Sequence, residues 1–156
     1  MFTPLHFPKT PLKISKKENE HFVWCVFRKK ELKLTPEEWV RQHALHFMVQ
    51  HKSIPQALIA SEWRIEVNSL DRRCDAVVFN RNGEPVAIVE CKAPSIPLTE
   101  KTLHQIAQYN YKLKVNWLIL TNGLQTIVAI VNQSNGDVSY IEEIPSFEEL
   151  CQDPSS

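Results

Sequence analysis

The sequence has only three glycines, no CxxC pair among its four cysteines, no net charge, and no apolar run of the roughly 18 residues a membrane helix requires. Each shortage excludes something. Without CxxC spacing, Cys25, Cys74, Cys91 and Cys151 form neither a zinc ribbon nor a secreted disulfide framework, and they read as reduced, mostly packed thiols. The N-terminal "MFTPLHFPKT" lacks a signal-peptide core, so a soluble cytoplasmic protein with no membrane contact is expected. Zero net charge removes the whole-molecule basic excess typical of nucleic-acid binding. The distribution is uneven, however, with eight Lys or Arg against three Glu in residues 1–33 and six acidic residues without Lys or Arg in 137–156. A phosphate-facing N-terminal surface and two solvated ends of opposite sign both fit that asymmetry. His43, His46 and His51 share one expected helix, but no Cys or carboxylate completes a ligand set beside them.

What is present fits one domain over residues 1–156, with no room for a motor domain. Its expected parts are an irregular arm at 1–20, a core over about 21–144 that begins with a strand in "HFVWCVF", and an acidic tail at 145–156 with a short helix near "SFEEL". In "LTPEEWVRQHALHFMVQH", Thr35 caps a helix with Pro36 in its first position and Glu38 three residues after the cap. Trp39, Val40, Ala44, Phe47 and Met48 make its apolar stripe. Beyond "SIPQAL", Trp63, Ile65 and Val67 alternate with Arg64 and Glu66, and "CDAVVF" and "PVAIVEC" complete a three-strand meander. The segment "PLTEKTLHQIAQYNYKLK" then reads as a helix with Leu103, Ile106, Ala107 and Leu113 inward, leading to the strand "VNWLILT". Strand, helix, strand implies a parallel crossover, hence a mixed α/β sheet flanked by helices, extended by C-terminal hairpin strands in "LQTIVAIV" and "DVSYIEEI".

All three glycines follow asparagine, the favoured pair for tight hairpins. With Asn82-Gly83 as a two-residue turn, Arg81 faces Glu84, Phe79 faces Val86, Val77 faces Ile88, Asp75 faces Glu90 and Arg73 faces Lys92. Pro85 then falls at a non-hydrogen-bonded position, and Cys74 meets Cys91 on the opposite face. Opposed carboxylates, roughly 5 Å apart at Cβ, repel unless something compensates. A divalent cation with hard oxygen ligands, Mg²⁺ above all, would do so, and Lys92 would orient the attacking water or offset transition-state charge. A surface salt-bridge square is the other reading of these four charges, disfavoured because "AVVF" and "AIV" look covered on both faces.

Asp75, fourteen intervening residues and then Glu90-Cys91-Lys92, set after a capped helix and before a crossover helix, resembles the PD-(D/E)XK nuclease superfamily. More specifically, "LTPEEWVRQHAL", "IPQALIASEWRIEVNSLDRRCDAVVFNRNGEPVAIVECKAP" and the "QIAQY" helix look like the N-terminal nuclease domain of type I restriction enzyme R proteins (HsdR), over about residues 30–132. The resemblance implies a restriction-endonuclease-like αβββαβ core. Asp75 and Glu90 would be Mg²⁺ (or Mn²⁺) ligands with the Cys91 backbone carbonyl as a third, and Lys92 the catalytic lysine. Gln105 and Tyr109 match the family's Gln-x-x-x-Tyr motif, with Gln108 as the spare candidate, and would contact DNA or buttress Lys92. Glu38 either fills the place of a first-helix carboxylate directed at the metal or only closes a capping box. Arg73 is a further supporting candidate. Cys74 stands where the motif's proline would be.

The function implied is a Mg²⁺-dependent DNA endonuclease domain of a restriction or related defence system, working with or without a separate motor or specificity subunit. With no recognition helix in the sequence, phosphate contacts would dominate DNA binding. The alternative is a catalytically silent nuclease-fold module for nucleic-acid or protein binding.

Overall fold

The computed structural model describes residues 2–67 and 70–152, with backbone alone at 67, 70–72 and 109. Helix α1 (Pro36–His51) starts as its cap dictates: Thr35 is extended and its hydroxyl accepts the Glu38 N–H at 3.1 Å. Val40, Ala44 and Met48, one helical turn apart, are wholly buried. Trp39 and Phe47 lie at the margin of the stripe, where Trp39 Nε1 donates to the Thr3 carbonyl and the Phe2 ring stacks on the indole. The three helix histidines go into packing. His43 contacts Trp39, His46 contacts Phe27, and His51 stacks on Phe47.

The segment expected as an irregular arm is partly a sheet. Strands β1 (Ile14–Lys17), β2 (Glu20–Cys25) and β3 (Lys30–Lys33) form a three-stranded antiparallel sheet of their own. The β1–β2 turn is made by Glu18 and Asn19, both left-handed (φ 50° and 66°), so a primed hairpin turn forms here without glycine. Val23 and Cys25 point inward and Trp24 outward. Ahead of the sheet the chain is pinned at His6, whose N–H donates to the Gly123 carbonyl, and at Phe7, which is buried.

The main sheet has the order β4-β5-β6-β7-β8-β9. Strands β4 (Ile59–Val67), β5 (Leu70–Phe79) and β6 (Pro85–Cys91) make the expected meander. Helix α2 (Glu100–Leu113) then carries the chain to β7 (Trp117–Thr121), parallel to β6. Strands β8 (Thr126–Val131) and β9 (Val138–Ile141) continue antiparallel. Helix α1 packs on Ala76, Val78, Ala87, Val89 and Ile119. On the other face Ile106 of α2 packs with Val77, Ile88 and Leu118. Coverage of both faces is why "AVV" and "AIV" run apolar without alternation. Two inward expectations fail. Ala107 is exposed, and Trp63 is 40% exposed, resting edge-on against Phe79. The Val67 side chain lies outside the described residues.

The hairpin between β5 and β6 reaches the expected register by a different route. Its loop has three residues, not two: Asn80 and Glu84 pair, the Asn80 Oδ1 accepts the N–H of Asn82 and of Glu84, and Gly83 is left-handed at φ 80°. Phe79 consequently faces Pro85, and a bulge at the next step leaves Val86 extra before Val78 meets Ala87 and Val77 meets Ile88. The extra loop residue and the bulge offset one another, so the pairing toward Asp75 and Glu90 is the one expected.

The acidic end is docked. Helix α3 (Phe147–Leu150) has a Ser146/Glu149 capping box, and Ile144 and Leu150 are buried in the α1-side core. Among the described residues no helix is long and apolar enough to cross a membrane.

Candidate active site

Asp75 sits where backbone pairing lapses. On its β4 side Ser61 pairs with Ala76 and Trp63 with Cys74, but Glu62 between them is left-handed (φ 57°), breaking the ladder opposite Asp75. Such a conformation costs a non-glycine residue on the order of 1–3 kcal/mol. On the β6 side the paired register ends at Ala76 and Val89. The Asp75 carboxylate enters the gap, with Oδ2 accepting the Cys91 N–H at 2.7 Å and Oδ1 lying 3.2 Å from Arg41 Nη2.

Glu90, one position before that N–H, is 5% exposed beside Asp75, itself 6% exposed. Its Oε2 has no hydrogen-bond partner among the described residues. Burial, then the hydrogen bond to Asp75 and its charge, push the Glu90 carboxyl up to about 10, against the pull of Lys92. Asp75 has Arg41 and a backbone N–H as partners, and burial beside it favours the protonated form of Glu90.

Lys92 leaves the sheet just past β6. Its N–H donates to the Thr121 carbonyl at 2.9 Å, and its Nζ donates to Gln105 Oε1 at 3.1 Å. Gln105, on α2, is thus in contact with Lys92. The Tyr109 side chain lies outside the described residues, and Gln108 is exposed. The β5–β6 pairing stops short of Arg73 and Lys92, and Arg73 reaches Glu62 at 3.5 Å. Glu38 uses only its backbone for the cap. Its carboxylate accepts from Gln42 Nε2 at 3.1 Å and faces Arg41 at 3.7 Å, so the Arg41 side chain stands between it and Asp75. Cys74 and Cys91 do not meet, since Cys74 packs in the α2-side core and Cys91 in the α1-side core, both as free thiols.

The residue that sequence reasoning missed is Arg41. It is 7% exposed, with Nη2 near Asp75 (3.2 Å) and Glu37 (3.5 Å), and Nη1 near Glu62 (3.2 Å) and Glu38 (3.7 Å). Burial opposes its charge, but Asp75 and Glu38 outweigh burial and raise its pKa above the ordinary arginine value. Glu37 is shifted upward by burial and then by Asp75. A signal was available, because Arg41 lies one position after Val40 and three before Ala44, on the margin of the apolar stripe, with acids three and four residues earlier. Glu62 also gave no sequence sign, since left-handed glutamate within an alternating strand is not a pattern that composition reveals.

The residues present fit a hard divalent cation. Two buried carboxylates lie together, one with an unpartnered oxygen. A strand residue turns its N–H and C=O to the same side, so the Cys91 carbonyl faces the same gap as its N–H. Among the described residues no third His, Cys, Asp or Glu completes a side-chain cage. Mg²⁺ suits such a sparse set, since it keeps waters and takes only one or two carboxylates.

A mixed sheet covered by α1 and α2, with Asp75, Glu90 and Lys92 at one break in the pairing, defines a restriction-endonuclease-like domain of the nuclease type. The family described as type I restriction enzyme R protein N terminus (HSDR_N) matches residues 36–145, and the chain belongs to it. Among solved structures, a fragment of a proposed HsdR subunit of a type I restriction enzyme from Vibrio vulnificus YJ016 has the same fold, with a TM-score of 0.58 at 18% identity. That likeness covers 75% of this chain but 24% of the other, so the chain spans about a quarter of that relative's length. A proposed nuclease of the DUF820 family from Anabaena variabilis ATCC 29413 aligns over 74% of each chain at 15% identity and a TM-score of 0.45. No curated protein gives a significant match. The β1–β3 sheet precedes the family-matched range.

Proposed function

We propose that the protein is a Mg²⁺-dependent DNA endonuclease domain. The observation that carries this reading is the juxtaposition of buried Asp75 and Glu90, with Glu90 Oε2 unpartnered, beside a lysine oriented by Gln105. A purely structural pair has no use for an unsatisfied buried carboxyl oxygen, which costs roughly 1–3 kcal/mol. Asp75, Glu90 and the Cys91 carbonyl would hold the cation, Mg²⁺ or in its place Mn²⁺. When bound, it polarises the scissile phosphate and lowers the pKa of the attacking water.

The chain's own groups supply the rest. Arg41 and the Cys91 N–H fix both Asp75 oxygens, so that carboxylate is held in place before substrate arrives. Gln105 takes one Nζ–H of Lys92 and leaves two donors for the attacking water or a phosphate oxygen. DNA contacts would be mainly to phosphates. A motor or specificity subunit would work with this domain, in the cytoplasm, as part of restriction or a related defence.

The direct test is nicking of plasmid DNA by the purified protein with Mg²⁺ or Mn²⁺, with Asp75→Ala as control. Loss of nicking in the variant is expected, while equal nicking by both, or none with either metal, sinks the claim that the domain cuts alone. A second reading, a silent nuclease-fold module, draws on Arg41, whose guanidinium already neutralises Asp75. Retained DNA binding without cleavage under every metal condition is what that reading expects.

A further inference from the structure

Glu62 draws three guanidinium groups together, one of which, Arg41, it shares with Glu37, Glu38 and Asp75. Its Oε1 lies 3.1 Å from Arg28 Nη1 and 3.2 Å from Arg41 Nη1, and its Oε2 lies 3.5 Å from Arg73 Nη1. We propose that Arg28, Arg41 and Arg73 form a phosphodiester-binding clamp beside Asp75, which Glu62 occupies until DNA displaces it. The inference rests on DNA being the ligand of the site described above.

A phosphodiester carries the same single charge as a carboxylate and presents two non-bridging oxygens with similar spacing. It is thus what guanidinium forks gathered on a carboxylate would also accept. The place is right for a substrate strand. Glu62 faces Asp75 from the neighbouring strand β4, and adjacent strands lie about 4.8 Å apart, so a phosphate taking its place lies next to the candidate cation site. Arg41 ties the two together, with one nitrogen on Glu62 and the other on Asp75, and its buried Nε has no partner among the described residues. The clamp is also reachable, since the side chains of Arg28, Glu62 and Arg73 are 20%, 24% and 51% exposed.

Arg28 comes from the turn between β2 and β3, outside the family-matched residues 36–145. The N-terminal sheet would therefore add one jaw of the clamp. Its neighbours Lys29 and Lys30 are exposed, and residues 1–33 carry eight Lys or Arg against three Glu.

The test is binding of a short fluorescein-labelled DNA duplex to the full chain in EDTA, by anisotropy, across a salt titration. Arg28→Gln and Arg73→Gln should each weaken binding roughly tenfold and reduce the slope of log K against log salt by about 0.9. Glu62→Gln should tighten binding, because it removes the competing charge. Arginine variants with wild-type affinity and slope overturn the clamp, as does a Glu62→Gln protein that binds more weakly. Should Glu62→Gln not fold, the two arginine variants, at partly exposed positions, decide it alone. Arginine-dependent binding by a protein that never nicks supports the clamp and counts against catalysis. Nicking that the arginine substitutions leave intact does the reverse.

Discussion

Replacing Glu90 by Gln should stabilise the metal-free protein at neutral and alkaline pH. In the fold the Glu90 carboxyl is pushed up to about 10 by burial and by Asp75, whereas in the unfolded chain it titrates near 4.5. Between those values the folded state holds a proton that the unfolded state has lost. The stability present below pH about 4.5 therefore drains away as pH rises, by about 1.4 kcal/mol per unit. At pH 7 the loss is on the order of 3 kcal/mol, and the Gln amide, neutral in both states, escapes it. Glu37, raised by burial and then by Asp75, enters the same window from its acid end in both proteins, and the other titrations border it. The half-buried His46 is lowered from its ordinary value by burial and then by His43, so it acts on the acid side, and the buried Cys74 and Cys91 thiols are raised, so they act above pH 9. Urea unfolding in EDTA, followed by tryptophan fluorescence from pH 7 to 8.5, isolates Glu90. Wild type should lose about 2 kcal/mol across that range and Glu90→Gln should lose little. Parallel profiles for the two proteins would refute the protonated, buried Glu90 and the cation site argued from it.

Mg²⁺ should raise the melting temperature of wild type, more at pH 8.5 than at pH 6.5, because binding must expel the Glu90 proton, and Asp75→Asn should abolish the rise; calorimetric scans with and without metal check this. Arg41→Met should cost roughly 3–5 kcal/mol in denaturant unfolding, since it leaves Asp75 and Glu38 without their buried countercharge, and a cost below about 1 kcal/mol would show that the network is only peripheral. Lys92→Met should reduce nicking about 10²–10⁴-fold and Gln105→Leu by less, both with the metal-induced melting shift intact; equal losses would mean that Gln105 does more than orient the lysine. Gly83→Ala should cost about 1 kcal/mol, from its positive φ alone, as nothing lies within 4 Å of an added Cβ. Gly123→Ala should cost more, because the Cβ would meet Leu5 at 2.6 Å, and the same unfolding assay ranks the two.

How much of this was legible depends on the range of the interaction concerned. The α1 cap, the meander, the crossover helix and the C-terminal hairpins follow from local chemistry, because Thr-Pro, period-two runs and Asn-Gly pairs act within a few residues. The β1–β2 hairpin was hidden because Glu18 and Asn19 supply the left-handed turn in place of glycine. At the β5–β6 loop the two-residue reading was one residue short, and the correct register survived only because the bulge at Val86 compensates. The expected Arg73 and Lys92 pairing failed for a related reason. Period-two logic assumes an unbroken ladder, and the ladder breaks at Glu62, so Arg73 turns to Glu62 while Lys92 turns to Gln105. Asp75 and Glu90 could be read together from the sequence because they lie fifteen residues apart across one hairpin. For Arg41 the helix margin and the local acids Glu37 and Glu38 were legible, but its pairing with Glu62 and Asp75 was not, because these come from two separate strands and no local rule joins them to α1.

The charge count at the site constrains what it can accept. Among the described residues, Glu37, Glu38, Glu62 and Asp75 are four carboxylates set against the four cations Arg28, Arg41, Arg73 and Lys92, and Glu90 is neutral while it keeps its proton. The resting cluster is therefore balanced without a metal. A dication entering alone would leave an excess of two charges in a poorly solvated place, and release of the Glu90 proton removes only one. A phosphodiester arriving with the metal removes the other. Balance thus favours joint entry of cation and DNA over either alone, and the energetic sign of that coupling can be read directly: the Mn²⁺ affinity measured by electron paramagnetic resonance should rise when duplex DNA is present. Equal affinity with and without DNA would mean that the charges in this cluster do not act as one unit.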